Sequence, residues 1–171
     1  PWVEREGTLA DPDEASIEKA ATAALAPFDK PMGDINSIRE RLYDVMWDEI
    51  GIIRNADSLA SGQAVLAELK AELDATGVAD DTRAFNLTWH DWMNLESQIL
   101  VSQAIAAAAV AREDSRGAHY RDDHPETSDL ETSANTVTGL EGGEISVSSR
   151  PVAFTRIRPG ETLVEETEAA E

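Results

Sequence analysis

The sequence predicts a mainly α fold: an antiparallel three-helix bundle followed by an extended C-terminal arm or a small β-hairpin. Three observations predict it. Long segments repeat apolar residues every three or four positions, and the connections between them are short. After Arg112 the helical period stops and gives way to alternating Thr and Val around a Gly-Gly pair. The 171 residues divide accordingly. Residues 1–33 form an N-terminal linker with a short helix, 34–114 the bundle, and 115–171 an Arg/His loop, the arm or hairpin, and an acidic tail.

Residues 1–12 are polar and irregular. "PWVEREG" opens without an initiator methionine and with a tryptophan in a polar setting, as a segment cut from a longer protein would, so Trp2 is expected on a surface that another part covers. "DPDEASIEKAATAALAP" reads as a short amphipathic helix with Asp11 as cap, Pro12 in the first turn and Pro27 as stop, bearing Ile17, Ala20, Ala21, Ala24 and Leu25 on one side. "PFDKPMGD" is a hinge.

The first bundle helix begins at Asn36 or Ser37. It carries Ile38, Leu42, Val45, Met46, Ile50 and Ile53, and Gly51 weakens its end. The second is capped by Asp57 or Ser58, turns Leu59, Leu66, Leu69 and Leu73 inward, and stops at Gly77. The third and longest is capped at Thr88, with a stripe of Trp92, Leu95, Ile99, Gln103, Ala106 and Val110. Its second half is nearly all alanine. Small side chains admit a close neighbour, so this half is expected to be clamped. In the arm, Pro151 confines the chain to a sheet edge. A lone hairpin is marginal in water and needs a surface to lie on, either one outside this chain or, for a free-standing adaptor, one within it.

Charge and composition exclude several function classes. Fourteen Lys and Arg stand against 34 Asp and Glu, a net charge of −20. Such a chain repels phosphates, which argues against nucleic acid and anionic membrane surfaces as partners. With no cysteine, disulfides, zinc-thiolate sites and iron–sulfur ligation within the chain are impossible. No apolar run is long enough for direct membrane insertion. Asn86-Leu87-Thr88 matches a glycosylation sequon, but nothing else points to secretion.

Catalytic and ligand-binding motifs are sparse. His119, Asp122, Asp123 and His124 offer metal-ligand atoms, but their spacing matches no closed motif and Arg116 and Arg121 oppose a cation. His119 beside Asp122 or Asp123 could orient an imidazole, yet no activated nucleophile stands near, and Ser115 lacks an elbow motif. There is no Gly-x-Gly-x-x-Gly and no Walker pattern. Trp89, His90 and Trp92 read as core or as helix anchors, and so do Met46 and Trp47. What stands out is recognition. "REDSRGAHYRDDHPETSD" gathers arginines and histidines in a strongly acidic chain. Arg112, Arg116 and Arg121 suit bidentate bonds to carboxylates or bonds to backbone carbonyls at a seam. Gly117 allows a tight turn or a close backbone approach. The plainer reading makes the loop a cap on the long helix.

These residues resemble a known family. "EDSRGAHYRDDHPETSD" is similar to the Ser-Arg-Gly-Ala-His-x-Arg-x-Asp-x-Pro segment of flavoprotein subunits of succinate dehydrogenase and fumarate reductase. "RERLYDVMWDEIGIIRNADSL" resembles the helix entering that family's Gly-hydrophobic-x-Arg, and "EISVSSRPV" its late strand running into Arg-Pro-Val. The resemblance covers about residues 37–152. It implies a spectrin-repeat-like three-helix bundle packed against an FAD domain, in a parent that transfers a hydride between a C4 dicarboxylate and FAD and passes electrons to an iron–sulfur partner.

The flavin fingerprint, the histidine that links flavin covalently in many members, and the substrate-binding residues would all lie upstream. The implied cofactor is therefore FAD in the parent and none in this fragment, which by itself is expected to be catalytically silent. Ser115, Arg116, Gly117, His119 and Arg121 are the expected interface residues, facing the FAD domain or the iron–sulfur subunit. The implied location is the cytoplasm, or the cytoplasmic face of the inner membrane through partner subunits. The alternatives are the C-terminal domain of L-aspartate oxidase, which shares a related Ser-Arg-Gly motif, and a free-standing acidic helical adaptor.

Overall fold

A computed structural model of the chain describes residues 11–162. Trp2 and the acidic tail at 165–171 lie outside the described residues. Four α-helices follow in order: α1 (Glu14–Leu25), α2 (Ile35–Asp48), α3 (Ala56–Ala75) and α4 (Leu87–Ala111). A 3₁₀ turn at Ala26–Asp29 follows α1. Two-residue strands β1 (Ile53–Arg54) and β2 (Tyr120–Arg121) pair in parallel, and β3 (Ala134–Glu141) pairs antiparallel with β4 (Glu144–Pro151). The expected mainly α bundle with a small hairpin is the observed architecture.

Each bundle helix starts upstream of the expected cap. Asp34 accepts the Asn36 and Ser37 amides at 3.1 Å. Asn55 and Ser58 form a reciprocal capping box. Asn86, almost fully buried, accepts the Trp89 amide at 2.9 Å and donates to the Asp80 and Thr82 carbonyls. The sequon asparagine is thus a structural cap. At α1 the cap is Asp13 rather than Asp11, and the helix buries none of its residues; Ile17 is 56% exposed.

The core is a seam between α2, α3 and α4. Ile38, Leu42 and Val45 meet Leu59, Leu66, Leu69 and Leu73, and α4 closes over them with Trp92, Leu95 and Ile99. Ile53, expected in the α2 stripe, lies beyond the helix in β1 and is exposed. Trp47, expected to pack, is 83% exposed. It follows the inward Val45 by two positions, which is about 200° around the helix. On α4 the buried stripe passes through Ser102 and Ala109 rather than Gln103 and Val110, a regular alternation of threes and fours from Trp92 onward.

Two indole N–H groups tie α4 to what precedes it. Trp92 Nε1 donates to the Thr76 carbonyl at 2.9 Å, and Trp89 Nε1 to the Ala24 carbonyl at 2.7 Å. Gly77 ends α3 for a reason other than a left-handed cap. A Cβ there would stand 2.1 Å from the Lys30 carbonyl oxygen, because the hinge runs directly against it.

The hairpin turns at Gly142 and Gly143, both with positive φ (63° and 92°), as a two-residue turn demands. It lies along the alanine-rich half of α4. Of the two surfaces open to it, the hairpin uses the one within this chain.

Candidate interface loop

The loop from Arg112 to His124 is built on Ser115. Its buried hydroxyl accepts the Arg121 amide at 2.9 Å and lies 2.8 Å from the His124 carbonyl, to which it donates. Arg116 and His119 exchange backbone bonds of 2.8 and 3.1 Å around a tight turn. Gly117 sits at its tip with φ +58°, and nothing approaches its missing side chain. The expected turn role of Gly117 is what the backbone adopts.

A parallel ladder fastens this loop to the α2–α3 connection. Ile53 and Arg54 face Tyr120 and Arg121, with the Tyr120 amide on the Ile52 carbonyl (3.1 Å) and the Asp122 amide on the Arg54 carbonyl (2.9 Å). Arg121 is thereby drawn inward until only 3% of it is exposed. Its Nε and Nη2 grip both oxygens of Asp123 at 2.7 Å. Its Nη1 lies 3.1 to 3.4 Å from the carbonyls of Ala109, Val110 and Arg112, the open C-terminal end of α4. Asp123 in turn accepts the Ala56 amide at the N-terminus of α3 (2.9 Å). One ion pair thus satisfies the negative end of one helix and the positive end of another. The Arg121 bonds hold the Asp123 carboxyl far below the ordinary carboxylate range, burial opposing and the Ala56 amide assisting. The helix-cap reading of the loop describes Arg121.

The other cations have different duties. Arg112 pairs with Asp114 (Nε to Oδ1, 2.7 Å), and Arg116 reaches Asp114 at 3.4 Å and the Ser133 hydroxyl at 2.9 Å. Burial pushes the Asp114 carboxyl up, but the Ser128 hydroxyl and both guanidiniums outweigh it, and the net shift is downward. His119 stands between two groups: Nε2 is 3.2 Å from the Arg112 carbonyl and Nδ1 3.3 Å from Arg54 Nη1. That pairing assigns the neutral Nε2–H tautomer, which donates to the carbonyl and accepts from the guanidinium.

Burial first, then the charges of Arg54 and Arg112, lower the His119 pKa from its ordinary value. The unfolded chain therefore takes up the proton first. Stability held by this ring is complete above about pH 6.5 and is lost as pH falls through the lower, folded value. Urea unfolding of the chain from pH 7.5 to 5 is expected to show this loss, and His119→Gln to remove that part of it. An imidazole titration midpoint for His119 above 6.5 would contradict the assignment.

The five expected interface residues do gather in one loop. Ser115 and Arg121 face inward, Arg116 and His119 are half-buried, and Gly117 is exposed. The proposed ligand set of His119, Asp122, Asp123 and His124 does not close: Asp123 is engaged by Arg121, and among the described residues no three His, Cys, Asp or Glu side chains gather as a metal requires. Sequence reasoning does not single out Arg54 for the loop, and it weighs Asp123 only as a metal ligand or an imidazole-orienting carboxylate, not as the partner of Arg121. Arg54 was visible as the last residue of the Gly-hydrophobic-x-Arg match.

The family profile described as "Fumarate reductase flavoprotein C-term" matches residues 39–164, more than half of the chain. The fumarate reductase flavoprotein subunit of Mycobacterium tuberculosis is 31% identical over 130 residues, which cover 75% of this chain and 22% of that protein. In three dimensions the chain is similar to E. coli quinol fumarate reductase FrdA, with a TM-score of 0.79, 25% identity and coverage of 92% of this chain and 28% of that one. It is also similar to a chain of the Mycobacterium smegmatis Sdh1 complex in the apo form, with a TM-score of 0.75, 30% identity and coverage of 84% and 26%. The chain therefore spans less than a third of each of these relatives.

Proposed function

Because the chain belongs to the fumarate reductase and succinate dehydrogenase flavoprotein C-terminal family, we propose that it is the helical lobe supporting the flavin domain of an FAD-dependent succinate dehydrogenase or fumarate reductase flavoprotein subunit. The observation that carries this reading is the extent of the likeness: nearly all of this chain aligns with little more than a quarter of FrdA. In this reading FAD, the dicarboxylate site and the hydride transfer reside in the parent's remaining part. The lobe contributes shape and contacts and is silent alone.

Ser115, Arg116, Gly117, His119 and Arg121 form the contact element toward the flavin domain, with the iron–sulfur subunit as the further partner. Ser115 and Arg121 hold the loop's form, while Gly117 and the outer faces of Arg116 and His119 meet the neighbour. Exposed apolar side chains elsewhere, such as Trp47, Phe85 and Leu87, support a lobe with covered faces in its parent. The proposed location follows from this parent: the cytoplasm, or the cytoplasmic membrane face through partner subunits.

The test is Arg116→Ala in the intact flavoprotein. Truncating one member of a desolvated charge pair at an interface costs enough to weaken assembly and flavin retention by about tenfold or more. The same change should move the urea midpoint of the 171-residue chain much less, because the Arg116–Asp114 contact is long and partly exposed. Unchanged assembly and flavin retention would reduce the loop to a helix-end device.

A further inference from the structure

Three arginines and a histidine line one open pocket of about 510 Å³ between the C-terminal part of α4, Arg54 and the start of β3. Arg54, Arg112, Arg116 and His119 line it together with Asn135 and Thr136, and no carboxylate is among its lining residues. Asp114, the one acid shared by Arg112 and Arg116, lines the neighbouring pocket instead, beside Glu113 and Ser128. Arg54 has no carboxylate partner among the described residues. Its side-chain bond runs to His119 Nδ1, and the charge that bears on it is a like one, Arg121. Three guanidiniums against one carboxylate leave two positive charges here, in a chain whose net charge is −20.

The negative end of α4 does not cancel them, because Arg121 covers its last carbonyls. A half-buried guanidinium without a counter-charge is costly unless an anion completes it. The planar fork of Arg54 matches a carboxylate. Asn135 and Thr136 also border the pocket; successive strand residues face opposite ways, so one of the two side chains can add a neutral donor of the kind that orients such a group. The strongly negative chain disfavours a phosphate dianion over a planar monoanion.

We propose that this pocket is a carboxylate-binding site with Arg54 as its principal ligand. The carboxylate comes either from a free small acid or from an Asp or Glu side chain of another segment of the parent. Titration of the 171-residue chain labelled with ¹⁵N-arginine and ¹⁵N-histidine with sodium acetate, against sodium chloride at equal ionic strength, reads the site directly through the Arg54 Nε–H and His119 ring signals.

The expected result is a carboxylate-specific shift with a Kd of about 1–50 mM, abolished in Arg54→Gln and weakened several-fold in Arg54→Lys. In the intact flavoprotein, the same acetate shift identifies a free acid as the ligand. An Arg54 signal already displaced and insensitive to acetate identifies a side chain of the parent. The proposal is overturned by the absence of a carboxylate-specific shift in the chain, by inorganic phosphate binding more tightly than acetate, by retention of the shift in Arg54→Gln, or by an intact protein whose Arg54 is neither displaced nor responsive. The arms on the 171-residue chain depend on neither assembly nor flavin retention, while the intact-protein arm rests on the proposed parent.

Discussion

Arg121→Ala is expected to destabilise the chain by about 3–5 kcal/mol, the usual cost of removing one member of a buried pair. Three consequences combine. The carbonyls of Ala109, Val110 and Arg112 lose their shared donor, Asp123 loses both of its charge-assisted bonds, and the space left lies beneath the loop, with only the His124 imidazole, 4.0 Å from Asp123, near enough to answer its charge. Arg121→Lys should recover only a minor part, because one ammonium cannot grip both oxygens of Asp123 and cap the helix at once. Urea denaturation measures the effect. Arg41→Ala, which breaks an exposed pair with Glu72, provides the contrast and should cost less than about 1 kcal/mol. A loss below about 1 kcal/mol for Arg121→Ala would mean that Ser115 and the β1–β2 ladder hold the loop without the ion pair.

Trp92→Ala should be of similar size, about 3–5 kcal/mol, as for other large core truncations. The indole is 2% exposed at the head of the α4 stripe, its N–H holds the Thr76 carbonyl, and Lys30 Nζ lies 5.2 Å from its ring centre. Removing it opens a cavity where α4, the end of α3 and the hinge after α1 meet. Trp92→Phe keeps most of the volume and leaves the Thr76 carbonyl unpaired, so about 1–3 kcal/mol is expected. Thermal or urea unfolding of both variants separates packing from the hydrogen bond. Equal losses in the two would show that the bond to Thr76 dominates.

The bundle was legible in the sequence wherever apolar and polar residues alternate clearly. Leu59, Leu66, Leu69 and Leu73 were expected inward and all are fully buried. In the alanine-rich half of α4 that signal vanishes, since every face is small and apolar, and the stripe was placed one residue off at Gln103 and Val110. The bundle-helix caps were missed for a different reason. Asp34, Asn55 and Asn86 each precede another polar residue able to cap, and only backbone geometry chooses between them. In the loop the cluster of charge was plain, but the partners of Arg121 are mostly backbone carbonyls, which leave no mark in a sequence. The two-rung ladder joining Arg54 to Arg121 is too short to produce any alternation, so nothing announced that Arg54 belongs beside His119.

That ladder has a topological consequence. With Ile53–Arg54 clasped to Tyr120–Arg121, the chain between them closes into a loop containing the whole of α3 and α4. The Arg121–Asp123 pair binds the ends of the same two helices across the clasp. Neither helix can peel away while the clasp holds, and opening the clasp uncaps the end of α4 and leaves α3 with only its own Asn55–Ser58 box. The Arg112–His124 loop and the two longest helices are therefore expected to melt as one cooperative unit, and in the proposed parent a domain seated on that loop would restrain the helices beneath it.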